Sequence, residues 1–478
     1  MSTTPNDGLV VVVKRDCPTC QLIEPVLGQL AVTVYSQDDP AFPAGIADVR
    51  DDTDLDVSLA LDIQTVPTLL RFEAGQETAR TEGWMRGEWE KLAGQTGLGP
   101  DLPDFRPGCG SRTTDPALAD EILLRTEGHR LAARRIELSE LEDEHESLFD
   151  RGWSDGLPVI PPTPTRVLRM LSGTSRKPDE LVATVPPNLA EATVEKVAIN
   201  AVLAGCRPEY LPVVLAAVEA ACTDEFNAHG LLATTWSAGP AIVVNGPIGR
   251  SIGMNAHGNV LGQGNRANST IGRALQLVIR NVGGGRPGGV DRAAFGHPGK
   301  VGFCFAEDEA GSPWEPLSVA RGVAAGVSAV TVFAAEGARG LADQISRTPE
   351  SLALSIAAGL RSVGHPKATL GFDATLVVSP EHARVFAEAG WSRARLEEAL
   401  REALLLDPAE IVRGAGGIEE GFPPEMLTSG KPLPKFRDGG LLIMHAGGTA
   451  GMFSTVIGGW VGGPGGSQPV TREVTPWL

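Results

Sequence analysis

Residues 9–15, LVVVVKR, form an apolar, β-branched run of strand length that ends where two cysteines begin. In the following QLIEPVLGQLA, residues Leu22, Ile23, Val26, Leu27 and Leu30 recur at helical spacing, which predicts a helix with one buried face. AVTVYSQ predicts a second strand, and a short acidic helix follows near residues 51–60. TVPTLLRFEAG and QETARTEG predict a hairpin closed at Ala74-Gly75, and a helix near 86–96 ends the unit. The order β-α-β-α-β-β-α is complete in itself, so residues 1–97 are predicted to form one domain.

Residues 98–116 are rich in Pro and Gly turns, have little apolar periodicity and contain Cys109, which predicts a linker. A charged helix is predicted over about 116–148, so that 98–150 joins the first domain to a larger region, 151–478. That region opens with GWSDGLPVIPPTPT, where Pro158, Pro161, Pro162 and Pro164 exclude a helix. Helices are predicted over 193–205 and 208–222, then a strand in PAIVVNG. A long Gly/Asn-rich stretch over 245–300 is interrupted by a helix at 268–281 and followed by a strand in KVGFCFAED. The last third alternates: strand SAVTVFAA, helix 349–362, strand DATLVVS, helices 381–390 and 393–404, strand GLLIMHAGG. Such alternation predicts an α/β fold. The segments 193–246 and 349–379 each run helices into a buried strand, which suggests two lobes, 151–312 and 313–478.

Composition narrows the function. A chain of 478 residues exceeds one ordinary core, and 41 Lys and Arg against 59 Asp and Glu give a net charge of −18. This surface repels phosphate backbones and anionic lipid, so neither nucleic acid nor a membrane surface is an expected partner. The start, MSTTPNDG, lacks the basic and apolar parts of a signal peptide, and no apolar run approaches the roughly 18 residues of a membrane span. A cytoplasmic protein is the expectation. Six cysteines are too few for a secreted disulfide scaffold.

Two of the six form Cys17-Pro18-Thr19-Cys20. The spacing sets Cys17 at a helix start, where unpaired N–H groups favour a thiolate, with Cys20 placed to resolve a mixed disulfide on it. A lone C-x-x-C without a second pair argues against a metal site. The helix CQLIEPVLGQLA with Pro25 in its middle, DIQTVPTLLRF, and glycines at 75 and 83 together resemble thioredoxin over residues 8–97. The resemblance implies a thioredoxin fold, a cis Val66–Pro67 bond packed against the cysteines, and a redox-active disulfide Cys17–Cys20 as the working group. It implies no further cofactor. Two departures stand out: Asp16 replaces the family's tryptophan, and Pro18-Thr19 replaces Gly-Pro. The 9–13 strand also lacks the family's buried Asp. These differences favour a domain serving its own fused partner over a general reductase.

GWSDGLPVIPPT, EKVAINAVLAGCRPEYLPVVLAAVEA, GNRANSTIGRAL, FCFAEDEAGSPWEPL and the tail GGSQPVTREV resemble a bacterial family grouped with the UGSC (seleno)proteins. That resemblance carries no defined activity, so chemistry is read from residues. Cys206 and Cys304 are candidate redox partners, and Cys109, flanked by glycines, is a candidate swinging thiol. In the Gly/Asn-rich stretch Asn265, Arg266, Asn268, Ser269 and Arg273 surround a helix start and are candidates to bind an anionic small molecule. His257 and His297, with Glu307, Asp308 or Glu309, are candidates for an acid–base set; their spacing does not point to a metal.

The expected function is a thiol–disulfide oxidoreductase domain fused to a catalytic region. That region would perform thiol-dependent reduction or sulfur transfer on a small molecule, and a cellular thiol reductant or reductase would regenerate the pair. A lyase or hydrolase with an accessory thioredoxin-like domain is one alternative, and a non-catalytic assembly module with an electron-delivery domain is another. A homo-oligomer stays open.

Overall fold

The computed structural model describes residues 7–139, 141–411, 424–461 and 466–474; the start of the chain, residues 1–6, lies outside them. The chain divides into two compact units, Met1–His129 and Arg130–Leu478.

In the first unit β1 (Gly8–Val13) leads into two short helices, α1 (Pro18–Leu22) and α2 (Glu24–Leu27). The predicted single helix is broken at Ile23, because Pro25 has no N–H to continue the ladder and starts a new turn instead. Then follow β2 (Val32–Ser36), β3 (Val49–Asp51), α3 (Asp56–Ala60), β4 (Thr65–Val66), β5 (Thr68–Glu73), β6 (Gln76–Glu82), β7 (Trp84–Met85) and α4 (Arg86–Ala93). One sheet has the order β3-β2-β1-β5-β6, with β1 parallel to β2 and antiparallel to β5. Its core holds Val10–Val13, Ile23, Leu69, Leu70, Trp84 and Trp89. Ala74 and Gly75 close the β5–β6 hairpin with positive φ, and the Val66–Pro67 peptide is cis.

Residues 98–129 belong to this unit and are not a free linker. Two strands of two residues each, β8 (Phe105–Arg106) and β9 (Cys109–Gly110), pair antiparallel with β7 and β4. The predicted long charged helix is reduced to α5 (Ala119–Glu127) and, beyond the boundary, α6 (Glu144–Asp150).

The second unit continues with α7 (Pro164–Leu171), β10 (Leu181–Val185), β11 (Ala190–Thr193), α8 (Val194–Ala204), α9 (Leu211–Ala221) and α10 (Ala228–Ala233). It proceeds through β12 (Gly239–Asn245), α11 (Pro247–Ser251), α12 (Arg266–Asn281), β13 (Cys304–Ala306), α13 (Leu317–Ala320), β14 (Ala329–Ala335) and β15 (Ala338–Ala342). It ends with α14 (Pro349–Arg361), β16 (Ala374–Val378), α15 (Pro380–Glu388), α16 (Arg393–Ala403), α17 (Pro424–Thr428), β17 (Leu441–His445), β18 (Phe453–Gly458) and β19 (Val470–Glu473). The α/β class is as expected.

Two four-stranded sheets share one plan. In β13-β12-β14-β19, β12 is parallel to β13 and antiparallel to β14. In β17-β16-β18-β15, β16 is likewise parallel to β17 and antiparallel to β18. Each sheet takes its fourth strand from the chain that leaves the other: β15 follows β14, and β19 follows β18. A cut at 312/313 therefore separates β14 and β19 from the sheet they complete.

Strand alternation sets the layers. Val243, Phe305, Phe333, Val377, Met444 and Ile457 meet in one core between the sheets. The opposite faces, Ile242, Val244, Cys304 and Val332 in one sheet and Leu376, Val378, Ile443 and Val456 in the other, pack under helices. The order is helix, sheet, sheet, helix. At the carboxyl ends of β13 and β17 the sheets touch: Asp308 N donates to His445 O at 2.9 Å.

Candidate functional site

Cys17 caps α1, and its Sγ accepts the Cys20 N–H at 3.3 Å. A second thiol, Cys109, lies with its Sγ 2.8 Å from that of Cys17, although 92 residues separate them in sequence. That separation is about 0.8 Å longer than the ~2.05 Å of a disulfide bond. Cys17 and Cys20 are both wholly buried, whereas Cys109 is partly open to solvent.

Several contacts place Cys109. Val66, just before Pro67, pairs with it across the β4–β9 ladder. Thr19 Oγ1 donates to Pro107 O at 2.7 Å, and Ser111 N to Gln64 O at 2.9 Å. The buried Gln37 amide donates to Ser58 Oγ at 2.8 Å and to Ser111 Oγ at 2.7 Å, while its oxygen accepts Arg112 N at 3.0 Å. Gly108 passes so close to the neighbouring loop that a Cβ there would sit 2.3 Å from Thr65 Cγ2 and 2.9 Å from Val66 O. Gly83, at φ +71°, would place a Cβ 2.8 Å from Gly108 N. The two glycines let residues 105–111 lie flat against the loop that carries Pro67.

The three thiols differ sharply in acidity. Hydrogen bonding from the Cys20 thiol, aided by the Cys109 thiol and backbone N–H groups, outweighs burial and brings the Cys17 thiol down to about 5. Burial, then the neighbouring Cys17 thiolate, pushes Cys20 far up, and the same two causes raise Cys109. One thiolate is thus held between two protonated thiols. Because α1 has only five residues, these hydrogen bonds and not a long helix dipole stabilise the charge.

The other cysteines are elsewhere in their own unit. Cys206 and Cys304 are buried in the core under the helices, where desolvation raises Cys206 to about 12 and Cys304 further. Cys222 is also raised by burial, to about 12.

The Gly/Asn-rich candidates are occupied by the fold. Asn265 caps α12, its Oδ1 accepting Asn268 N at 3.0 Å and its Nδ2 donating to Gly253 O. Asn268 is buried and clamps Asn255 through both its N–H and its C=O. Arg266 donates to Gly205 O. Arg273 grips Asp155 with two bonds of 2.8 Å and reaches the carbonyls of Leu157 and Pro158. Ser269 lies in the first turn of α12, exposed. The loop around the helix start thus takes up Asn265, Asn268 and Arg273, while Ser269 and Arg266 are exposed.

Of the two loop histidines, His257 reaches the acidic turn, with Nδ1 3.5 Å from Asp308 Oδ2, and its side chain is 69% exposed. His297 does not: its Nε2 lies 3.1 Å from Ala335 O and its Nδ1 accepts Gly299 N. The residue that sequence reading passed over is His445, wholly buried, its Nδ1 3.1 Å from Asp308 O and 3.7 Å from Asp308 Oδ2. Its only signal was a single polar residue closing the apolar strand LLIM. Beside it, desolvation raises the Glu307 carboxyl, although Leu317 N, Asn245 and Arg393 all face it. Among the described residues no cluster of three His, Cys, Asp or Glu is placed to hold a metal ion, and no helix is long and apolar enough to cross a membrane.

The second unit also has an open pocket of about 680 Å³ between residues 131–138 and helices α7 and α8. Leu131, Ile136, Leu138, Ile199 and Leu203 line it, and Asn200 and Asn281 supply amides. Comparison with protein-family models, with curated proteins and with solved structures gives no match for this chain.

Proposed function

We propose that the protein is a thiol–disulfide oxidoreductase whose thioredoxin-like first unit serves thiol-dependent reduction or sulfur transfer on a small molecule by the second. The observation that carries this reading is the Cys17 sulfur, set at the cap of α1 and holding its charge at neutral pH beside the Cys20 thiol. A thiolate attacks a disulfide and a nearby thiol completes the exchange, so the pair cycles between dithiol and disulfide with two electrons passed per turn. A cellular thiol reductant returns the disulfide to the dithiol. The 680 Å³ pocket supports a small-molecule substrate, since its size and mostly apolar walls, with amides and charged side chains such as Arg134 and Lys196 among them, suit a ligand site. The test is exchange with a small disulfide. Wild-type protein is expected to turn over with excess dithiol, and Cys17→Ser to lose turnover by at least about a hundredfold. Equal rates would end the proposal.

A second reading rests on His257 and Asp308, an exposed imidazole whose Nδ1 faces a carboxylate, the arrangement of a general base held by an acid. Under it the chain is a lyase or hydrolase. His257→Ala would then abolish turnover of the small molecule, and Cys17→Ser would leave it intact.

A further inference from the structure

Cys17 has a thiol on either side, one toward solvent and one toward the core. We infer that Cys109, Cys17 and Cys20 form an ordered relay, in which Cys109 is the thiol that meets an outside disulfide and passes the oxidation inward. This rests on the oxidoreductase reading of Cys17 and Cys20 and assigns the substrate-facing partner of that pair.

Access sets the order. Residues 105–111 lie across the Pro67 loop, and with them in place Cys17 exposes no surface. A disulfide arriving from solvent meets Cys109, the one thiol of the three that solvent reaches. The β4–β9 ladder holds Cys109 the way an extended peptide is held when it adds to a sheet edge. The chain thereby supplies its own docked peptide, with a cysteine facing the nucleophile. The Cys17 Sγ is already 2.8 Å away, so little motion separates contact from bond.

The chemistry balances in three exchanges. The Cys17 thiolate takes the Cys109 proton across the 2.8 Å contact, the Cys109 thiolate so formed attacks R–S–S–R′ to give Cys109–S–S–R, and the proton leaves on R′–SH, which restores the Cys17 thiolate. The Cys17 thiolate then attacks the Cys109 sulfur, forming Cys17–S–S–Cys109 and releasing R–S⁻. Cys20 attacks the Cys17 sulfur, forming Cys17–S–S–Cys20, and its proton passes to Cys109, which is restored. The external disulfide gains two electrons, and the Cys17/Cys20 pair gives up the same two.

The order predicts a different trapped species for each variant. Reduced full-length protein is mixed with 2-hydroxyethyl disulfide, quenched in acid, alkylated and mapped by peptide mass. Cys17→Ser is expected to accumulate the hydroxyethyl adduct on Cys109, and Cys20→Ser to stop at Cys17–S–S–Cys109. Cys109→Ser is expected to oxidise at least about tenfold more slowly than wild type, yet to reach the same Cys17–Cys20 disulfide at equilibrium. That endpoint establishes that the variant is folded and its pair intact. The relay is overturned if Cys109→Ser oxidises as fast as wild type, or if the Cys20→Ser adduct sits on Cys17 with Cys109 untouched. Failure of the underlying reading looks different: no Cys17–Cys20 disulfide would form in any protein, wild type included.

Discussion

Val66 and Cys109 pair directly across a two-residue antiparallel ladder, and this pairing sets a third thiol over the Cys17 sulfur. The consequence is electrostatic as well as steric. A thiolate that accepts hydrogen bonds from two thiols and a backbone N–H is stabilised chiefly by those bonds.

Acidity is the first measurable consequence. Only Cys17 should ionise between about pH 5 and 8, its thiolate absorbance in the ultraviolet rising through a midpoint near 5, because Cys20 and Cys109 are both raised. Folding energy follows the same shift. The folded-state value lies below the unfolded one of ~8.5, so the thiolate's contribution is complete above the unfolded value and fades as pH falls toward 5. Urea midpoints of reduced wild type and Cys17→Ser should therefore converge near pH 5 and separate as pH rises. A constant gap would contradict the shift.

Gly108→Ala tests the strap formed by residues 105–111. The new methyl would overlap Thr65 and the Val66 carbonyl, so the strand must lift. Backbone cannot yield as a side-chain tip does, and the cost is about 1–3 kcal/mol. With the strap lifted, Cys17 loses the Cys109 hydrogen bond and gains solvent. Its midpoint for alkylation should move up, while its rate at pH 8 rises. An unchanged midpoint would mean that Cys109 does not tune Cys17.

Much of this architecture was readable from the chain, and the reasons for the exceptions are specific. Helices α8, α9, α12, α14 and α16 and strands β12, β14, β16 and β17 follow apolar runs or apolar positions at helical spacing that period and length identify. The strap escaped because strands of two residues have no period, and because their pairing partners lie twenty or more residues away for β8 and more than forty for β9. Gly108 read as linker flexibility, although its role is close approach. Asn265 and Asn268 read as ligand groups because a helix-capping amide and a ligand-binding amide have the same sequence signature. Here the backbone takes both. His445 was hidden at the end of β17 because its partner, Asp308, comes from the other sheet.

Arg273 separates a structural role from a binding one. Its guanidinium and the Asp155 carboxylate are each nearly buried and doubly bonded. Burial alone would raise the Asp155 carboxyl, but the two Arg273 bonds outweigh it and hold the group below its ordinary range. Arg273→Ala should therefore cost about 3–5 kcal/mol by leaving Asp155 buried and unpaired. A loss of that size in chemical denaturation identifies a strut. An unchanged midpoint with weakened anion binding would return Arg273 to the ligand site.

The pocket under residues 131–138 gives a test independent of sulfur. Ile199, on α8, lines it, and Ile199→Trp would fill part of the 680 Å³. Turnover of the small-molecule substrate should fall at least about tenfold, since an occupied pocket binds no ligand. Exchange with 2-hydroxyethyl disulfide should be unaffected. Loss of both would place the two chemistries at one site.

Cys206 and Cys304 decide whether the second unit supplies a thiol of its own. Both lie in the core beneath α8, α9 and α12, and Cys304 alternates with Phe305 so that one faces the helices and the other the opposite sheet. Desolvation raises both thiols, Cys206 to about 12, so almost none of either is thiolate at pH 8. In the folded protein neither should label with iodoacetamide over hours, whereas both should label in urea. Cys206→Ala and Cys304→Ala should keep the wild-type rate of disulfide exchange and lose about 1 kcal/mol or slightly more of stability, as small cavities do. If either variant instead abolished turnover while its stability changed by no more than that, a route would exist for a buried thiol to reach the substrate. The relay through Cys109 would then be at most half of the electron path.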